Sequence, residues 1–320
     1  MPKIFITRQI PEAGINLLKE KEFDVEVSDF DGVLPREQLL EKIKGADAVL
    51  SLLTDKVNAE FFDAAGPQLK IVANYAVGYD NIDVAEAKKR GIIITNTPDV
   101  LTESVAEHAV ALILSAARRI VESDKFMRAG KYVGWAPMLL LGNDLAGNTL
   151  SLIGLGRIGA RVAEIMKQGF GMKVIYFDVK RNEALEKSLG LEYAELDAVL
   201  KQADFISVHV PLMENTRHLI GESQLKTMKQ SAYLINTSRG PVIDEKALVE
   251  ALKNKTIKGA GLDVFEEEPK MAPGLAELDN VVLTPHTASA TEETRGAMSE
   301  LAAKNIIEVL EGREAITPVK

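Results

Sequence analysis

The sequence has 320 residues and a formal net charge of −9, and a chain of this length is expected to form about two domains. The acidic balance argues against a nucleic-acid partner, because phosphates would be repelled by a surface without a basic patch. The absence of cysteine excludes disulfides, thiolate nucleophiles and iron–sulfur clusters, and we expect no metal site. Since no apolar stretch is long enough to cross a bilayer and the N-terminus lacks a signal-peptide core, we expect a cytoplasmic protein.

Short β-branched runs alternate with amphipathic stretches through almost the whole chain, a pattern typical of parallel sheets covered by helices. In the first third the pattern predicts strands near residues 3–7, 23–27, 48–52, 69–74 and 92–95. It also predicts one long helix over about 104–122, a second alternating series from 149 to about 285, and a last helix over 291–311.

A dinucleotide-binding fingerprint lies in the middle of the chain. The predicted strand Thr149–Ile153 runs directly into Gly154-Leu155-Gly156-Arg157-Ile158-Gly159 and then into a predicted helix. In this motif the first glycine permits a tight turn, the second lets the backbone approach a pyrophosphate, and the third allows the helix to pack on the strand. Gly154, Gly156 and Gly159 are therefore expected to hold a cofactor, with the phosphates at the N-terminus of the helix.

A second predicted strand, Lys173–Phe177, ends at Asp178, about 20 residues beyond the glycines, as the fold requires. The Asp178 carboxylate would accept hydrogen bonds from the adenosine ribose and would repel an additional 2′-phosphate. The sequence therefore favours NAD over NADP, although Lys180 and Arg181 nearby would soften that preference.

Because the fingerprint begins in mid-chain, the nucleotide-binding domain is predicted to be inserted into the other domain. We expect an α/β protein with two Rossmann-like domains, in which a nucleotide-binding, doubly wound parallel sheet interrupts a flavodoxin-like substrate domain. The predicted bounds are 1–98 and 288–320 for the substrate domain and 99–287 for the NAD-binding domain.

Three successive predicted strands are followed by side chains that can take part in catalysis. The strand over 231–235 precedes Arg239, the strand over 257–264 precedes the acidic run 266–268, and the strand over 281–284 precedes His286. Ligands of open parallel sheets bind outside the carboxyl ends of the strands, so these side chains are expected to converge.

Their chemistry suits the reduction of a 2-oxo acid. Arg239 would bind the carboxylate with its planar guanidinium, and His286 would give a proton to the carbonyl oxygen as hydride arrives. A glutamate would pair with His286 and raise its pKa, but the residues alone do not decide among Glu266, Glu267 and Glu268. Of the remaining histidines, His108 is interpreted as a packing or surface residue and His218 as solvated, which leaves His209 as the one rival for a role in the site.

Several segments resemble the D-isomer-specific 2-hydroxyacid dehydrogenase family and are nearest to its glyoxylate/hydroxypyruvate reductase branch. They are residues 72–83, residues 96–102, and Trp135-Ala136-Pro137-Met138. The resemblance implies that the catalytic set is Arg239, Glu268 and His286, because the family's glutamate stands immediately before a proline. The family commonly has His-x-Gly-Ser after the last strand, where this chain has His286-Thr287-Ala288-Ser289.

The resemblance also implies further roles. Backbone amides of Val77 and Gly78 would hold the substrate carboxylate, Leu53 would shape the pocket, and Asp263 would bond the nicotinamide carboxamide. Family members are dimers built on the long helix, and Trp135 matches a tryptophan that reaches the neighbouring subunit's pocket, although a lone tryptophan is equally often a core anchor. The remaining residues expected at the cofactor are Ser104, Arg157, Ile158, Pro211, Thr216, Thr237 and Ser238, with Arg239 and His286 shared between cofactor and substrate.

The sequence therefore predicts an enzyme that uses NAD to reduce glyoxylate or hydroxypyruvate to the D-2-hydroxy acid. One alternative keeps the chemistry and changes the substrate to that of a D-lactate or D-3-phosphoglycerate dehydrogenase. The segment over 77–80 lacks clustered basic residues for a substrate phosphate. The other alternative is a non-catalytic, NAD-sensing protein similar to the corepressors that share this fold.

Overall fold

A computed structural model describes residues 1–319, and the chain divides into two compact units. The first unit consists of Met1–Leu101 together with the chain from Ala290 onward, and the second is Thr102–Ser289. The second unit is therefore an insertion in the first, and both contain a parallel sheet. The predicted α/β fold class with two Rossmann-like domains is confirmed.

The first unit contains a five-stranded parallel sheet in the order β2-β1-β3-β4-β5. Its strands are β1 Lys3–Ile6, β2 Asp24–Val27, β3 Ala48–Ser51, β4 Ile71–Asn74 and β5 Ile93–Thr95. Its helices are α1 Glu12–Glu20, α2 Arg36–Lys42, α3 Ala59–Ala65 and α4 Val84–Lys89, with the last helix of the chain, Glu292–Leu310. β3 and β4 are buried along their whole length, as expected of strands covered on both faces.

The second unit contains a seven-stranded parallel sheet in the order β12-β11-β10-β9-β6-β7-β8. Its strands are β6 Thr149–Ile153, β7 Lys173–Phe177, β8 Glu192–Tyr193, β9 Phe205–Val208, β10 Tyr233–Asn236, β11 Gly259–Leu262 and β12 Val281–Leu283. Its helices are α5 Thr102–Ala117, α6 Ile120–Arg128, α7 Arg157–Phe170, α8 Glu183–Leu189, α9 Leu196–Gln202, α10 Glu222–Thr227 and α11 Glu245–Lys253, with 3₁₀ turns at Glu214–Thr216 and Gly240–Val242.

The strand order of this sheet reverses at β6, which pairs with β7 on one side and with β9 on the other. Ligands of doubly wound sheets bind at this reversal, outside the carboxyl ends of the strands. The glycine-rich turn follows β6 at that position, and the loops after β9, β10, β11 and β12 leave the same edge of the sheet. The topology therefore gathers the predicted cofactor and catalytic residues of this unit at one edge.

The prediction of one long helix over 104–122 is wrong. α5 ends at Ala117, and Arg119 has a left-handed φ of 53° before α6 begins at Ile120. A left-handed residue cannot continue the hydrogen-bond ladder of a right-handed helix. The Arg119 guanidinium bonds Glu122 at 2.8 and 2.6 Å and stabilises the new first turn.

Among residues 1–319, no helix has both the length and the apolar composition needed to span a membrane.

Candidate active site

The glycine-rich turn is shaped by contacts that exclude larger side chains. Gly154 has a φ of +96°, and a Cβ there would lie 2.8 Å from the carbonyl oxygen of His209. A Cβ on Gly159 would overlap the carbonyl oxygen of Gly154. Gly156 differs from both, because a Cβ there would have no described atom within 4 Å. The first and third glycines therefore meet packing requirements, while the space beside Gly156 is open.

The start of α7 places backbone N–H donors beside that open space. Gly156 is the N-cap residue and has no side chain with which to accept the first backbone N–H groups of the helix. Such groups, together with the helix dipole, attract an anion. Arg157 and Ile158 occupy the first turn, where the fingerprint predicted them. This part of the structure fits a dinucleotide pyrophosphate.

The Asp178 carboxylate is held in place at the end of β7. Its Oδ2 accepts from the backbone N–H of Leu155 at 2.7 Å, and its Oδ1 accepts from that of Lys180 at 3.0 Å. Each carboxylate oxygen can accept a second hydrogen bond, so the group is oriented and can still accept hydrogen bonds from a ligand. The structure therefore brings the glycine turn and the predicted ribose acceptor into direct contact.

The loops after β9 and β10 place further predicted cofactor residues. The Thr216 hydroxyl donates to the carbonyl oxygen of Pro211 at 2.7 Å and closes the loop that both residues share. Thr237 is buried, and its hydroxyl has no hydrogen-bond partner among the described residues. A buried hydroxyl without a partner is costly unless a ligand satisfies it. Ser104, which was also assigned to the cofactor, is buried in α5.

His209, the rival histidine, lies under the glycine turn. Its Nε2 is 2.8 Å from the Ser207 hydroxyl, and burial lowers the pKa of the ring to about 4. A ring that stays neutral at physiological pH would not supply a proton as readily as an imidazole of ordinary pKa. These contacts favour a structural role for His209.

The Arg239 loop is fixed by its neighbours on both sides. The Asn236 side chain donates to the carbonyl oxygen of Arg239 at 2.9 Å, and its Oδ1 accepts from the backbone N–H and the hydroxyl of Ser238 at 3.0 and 2.8 Å. The next residue, Gly240, packs so closely on the loop after β11 that a Cβ would overlap the carbonyl group of Phe265. The loops that follow β10 and β11 are therefore locked together through their backbones.

Glu268 and His286 form the pair that the sequence predicted. Glu268 Oε2 lies 2.9 Å from His286 Nδ1, and Oε1 accepts from the backbone N–H of Phe265 at 3.1 Å. The His286 ring is 25% exposed and the Glu268 side chain 31% exposed. Since the carboxylate occupies Nδ1, Nε2 is the nitrogen left to exchange a proton with a ligand.

Glu266, in the same acidic run, has a different partner. Glu266 Oε1 is 2.6 Å from Nε2 of His218. His218 was interpreted as solvated, and its side chain is indeed 43% exposed, but it also has this partner. Of Glu266 and Glu268, the residue before the proline is the one paired with His286.

Asp263 is a fully buried carboxylate between the strand ends. Its Oδ1 accepts from the Thr284 hydroxyl at 2.6 Å and from the Thr287 N–H at 2.8 Å, and its Oδ2 accepts from the Ala288 N–H at 2.8 Å. Burial raises the pKa of Asp263, but hydrogen bonds from His108, Thr284 and these backbone amides outweigh it and hold the pKa below its ordinary value. The alanine that departs from the common family motif still supplies its backbone donor.

Sequence reasoning missed His108. Its Nε2 lies 3.0 Å from the Thr284 hydroxyl and 3.4 Å from Asp263 Oδ1, so the interpretation of a packing or surface residue was incomplete. The one available signal was a polar residue four positions after Ser104 on a helix that is otherwise apolar on that face. Glu245 was also missed, because an acidic residue in the first turn of a helix is usually explained by the helix dipole.

The predicted substrate residues of the first unit lie on loops after two of its strands. Leu53 follows β3, and Val77 and Gly78 follow β4; all three are partly buried. The carbonyl oxygens of Val77 and Gly78 accept from the side chains of Asn96 and Asn74, both at 2.8 Å. Within residues 1–319 no hydrogen bond is found from either backbone amide, which leaves both as donors for a ligand.

Trp135 is 83% exposed, so the interpretation of a core anchor is wrong. It lies between α6 and β6, in a stretch of the chain that carries other exposed large hydrophobic side chains. These are Ile120, Val121, Met127, Tyr132, Val133, Met138 and Leu141.

The second unit thus combines a dinucleotide-binding turn with a histidine–carboxylate pair, which is the combination expected of a pyridine-nucleotide oxidoreductase. The chain belongs to the D-isomer-specific 2-hydroxyacid dehydrogenase family and is an oxidoreductase of that family. The model of the family's NAD-binding domain matches residues 110–288.

Individual relatives agree with this assignment. The chain is 53% identical over 309 residues to the glyoxylate reductase of Korarchaeum cryptofilum, and the match covers 96% of this chain and 92% of the relative. A crystal structure of a protein from Thermus thermophilus is 41% identical, with a TM-score of 0.93 and coverage of 99% and 100% of the two chains. A crystal structure of the NADPH-dependent glyoxylate/hydroxypyruvate reductase of Sinorhizobium meliloti, in complex with citrate, is 36% identical, with a TM-score of 0.86 and coverage of 100% and 98%.

Proposed function

We propose that this enzyme reduces glyoxylate or hydroxypyruvate to the D-2-hydroxy acid, with NADH as the preferred reductant. The observation that carries the proposal is the contact of 2.9 Å between Glu268 and His286, at the same sheet edge as the glycine turn. The choice of substrate is supported by two relatives, the glyoxylate reductase of Korarchaeum and the glyoxylate/hydroxypyruvate reductase of Sinorhizobium.

The cofactor is assigned to residues whose geometry fits it. The pyrophosphate would use the space beside Gly156 and the first turn of α7, the ribose would bond Asp178, and the Thr237 hydroxyl would find its missing partner. Asp263 is assigned to the nicotinamide carboxamide. The other residues assigned to the cofactor are Ser104, Pro211 and Thr216. A nicotinamide cofactor, when bound, supplies the hydride.

The remaining chemistry belongs to side chains of this chain. Arg239 binds the substrate carboxylate, because a guanidinium is always charged and matches the two oxygens with parallel donors. His286 donates the proton on Nε2 to the carbonyl oxygen as it becomes an alcohol. Glu268 orients the ring through Nδ1 and balances the positive charge that the ring carries when it is protonated. In the reverse direction, the neutral ring removes the hydroxyl proton.

The preference for NADH rests on Asp178. Its negative charge is fixed by two backbone donors and would repel the 2′-phosphate of NADPH, while the neighbouring Arg181 guanidinium is paired with Glu186. The Sinorhizobium relative is named as NADPH-dependent, so the branch as a whole does not determine the cofactor and Asp178 decides it in our proposal.

Other assignments complete the proposal. Val77, Gly78 and Leu53 recognise the substrate, with the two free backbone amides directed to its carboxylate. The exposed apolar side chains around α6 and Trp135 form the contact surface of a homodimer, because a surface of this kind is normally covered. The enzyme is assigned to the cytoplasm.

The experiment that tests the proposal compares initial rates with NADH and NADPH on four 2-oxo acids: glyoxylate, hydroxypyruvate, pyruvate and 3-phosphohydroxypyruvate. We expect the highest kcat/KM with NADH and either glyoxylate or hydroxypyruvate. A higher kcat/KM with pyruvate or 3-phosphohydroxypyruvate would identify that acid as the substrate instead. Tight NADH binding without turnover of any of the four would favour a cofactor sensor.

A further inference from the structure

Glu245 is a buried carboxylate with no place in the chemistry described above. It is the first residue of α11, follows the N-cap residue Asp244, and is 5% exposed. Acidic residues at this position usually lie in solvent, where they interact with the helix dipole. Burying a carboxylate is costly unless hydrogen bonds compensate it, so its partners indicate what it does.

Both oxygens of Glu245 accept from the backbone of one loop. Oε2 accepts from the N–H of Glu266 at 2.6 Å, and Oε1 accepts from the N–H of Ala272 at 2.7 Å. The contact with Glu266 is reciprocal, since the Glu245 N–H lies 3.3 Å from Glu266 Oε2. One carboxylate therefore fixes the backbone of the loop at two points six residues apart in sequence.

Glu268 lies between these two points. Its own side chain adds a third constraint, because Oε1 accepts from the Phe265 N–H at 3.1 Å while Oε2 meets His286 Nδ1 at 2.9 Å. The backbone at Phe265 is in turn packed against Gly240, next to Arg239. Charge-assisted hydrogen bonds to backbone N–H groups are among the stronger kind, so Glu245 contributes much of what holds the loop.

We propose that Glu245 is a positioning residue, which holds the loop over 266–272 so that the Glu268 carboxylate stays in contact with the His286 imidazole. It touches neither substrate nor cofactor and acts only through the loop backbone. Only the kinetic part of the test rests on the proposed function. The contact between Glu268 and His286 is present in the protein without ligand and can be tested independently of turnover.

The consequence for His286 follows from electrostatics. A carboxylate in contact with an imidazole stabilises its protonated form, and a loop that is free to move would weaken that contact. The other ionisable groups near the His286 turn include Asp263, which is bonded to Thr284 and two backbone amides, and His108, which lies 3.0 Å from the Thr284 hydroxyl and 3.4 Å from Asp263. Arg239 lies on the loop after β10. His218 pairs with Glu266 Oε1, while Oε2 of that carboxylate accepts from the Glu245 N–H.

The test uses Glu245→Gln, which keeps the size of the side chain and one oxygen acceptor but sets an NH₂ group against a backbone donor. The matched control is Glu250→Gln on the same helix, where the side chain is exposed. The first readout is the set of ¹⁵N chemical shifts of the His286 ring in the protein without cofactor, because these shifts report the hydrogen bond at Nδ1. The second is the division of the effect between kcat and KM at neutral pH. If Glu245→Gln does not fold, Glu245→Asp takes its place, because it keeps the charge but is too short to reach both donors.

We expect Glu245→Gln to shift the Nδ1 resonance of His286 and to lower kcat at neutral pH about tenfold, with KM nearly unchanged. In a Glu268→Gln background the same substitution should cause no further shift of that resonance. An unchanged Nδ1 resonance in Glu245→Gln would overturn the proposal, and so would an equal shift with and without Glu268. Since the NMR readout needs no turnover, a wild-type enzyme that reduces none of the acids would reject the proposed function without deciding this test.

Discussion

Gly156 offers a direct perturbation of the cofactor site, because a methyl group there should be harmless to the protein and harmful to the ligand. A Cβ would have no described atom within 4 Å, and the residue has an ordinary φ of −72° with ψ of −165°. Gly156→Ala should therefore fold normally with a stability within about 1 kcal/mol of the wild type, because restricting the unfolded chain stabilises the protein while alanine is a poorer N-cap residue than glycine. The added methyl occupies the position through which a pyrophosphate approaches the backbone.

The size of the binding defect follows from the hydrogen bonds that would be lost. A hydrogen bond to a charged group contributes about 1.5–3 kcal/mol, and about 1.4 kcal/mol corresponds to a tenfold change in Kd. Loss of one phosphate contact should thus raise the Kd for NADH by roughly 10- to 100-fold. Gly169→Ala is the matched control, because Gly169 is an exposed position of α7 where a Cβ also meets nothing.

The assay is a fluorescence titration of NADH together with a thermal melt of each variant. We expect a melting temperature close to that of the wild type for Gly156→Ala and at or above it for Gly169→Ala, with weaker NADH binding for Gly156→Ala alone. A wild-type Kd in Gly156→Ala would refute the assignment of the phosphate site, and a marked loss of stability would show that the space is not open.

Three further substitutions address separate parts of the site. Asp178→Ala should raise kcat/KM with NADPH relative to NADH at least tenfold, since a fixed negative charge is removed; an unchanged ratio would mean that another residue reads the ribose. Arg239→Lys should raise KM for glyoxylate and lower kcat, because a point charge replaces two parallel donors; a wild-type kcat/KM would remove Arg239 from the substrate. Asp263→Asn should lower the melting temperature at pH 6, because an NH₂ group would face a donor in a buried setting. Since the folded-state pKa of Asp263 is below its usual value, its stabilisation is complete above about pH 4 and is lost as the pH falls through the folded pKa, so the two melting temperatures should converge in acid. A constant difference would contradict that linkage.

Most strands of this protein were predictable because they form short, largely apolar runs between helical stretches. The bounds of β6 and β7 agree with the sequence pattern, and those of the other strands predicted individually differ at their ends by one or two residues. The break at Arg119 was not predictable from the same pattern, because apolar residues continue at helical spacing on both sides of it. What ends the helix there is a single left-handed residue and its bond to Glu122.

The site also has parts that could be predicted from the sequence and parts that could not. Gly154, Gly156, Gly159 and Asp178 belong to a motif with fixed spacing, so their proximity could be predicted from the sequence. The choice of Glu268 within an acidic run depended on a resemblance, because three adjacent carboxylates have the same local chemistry. The contact of Glu245 with the loop after β11 was not predictable in the same way. Its partners are backbone N–H groups, which almost every residue has, so no residue type in the loop indicates the contact.

The most direct test of the account is the stereochemical course of the reduction. Hydroxypyruvate would be reduced with NADH that carries deuterium at the transferred position of the nicotinamide, and the glycerate product would be analysed for chirality and for label at its second carbon. The account predicts D-glycerate with deuterium at that carbon, because hydride arrives on one face of the carbonyl while His286 protonates the oxygen. L-glycerate, or D-glycerate without the label, would contradict it.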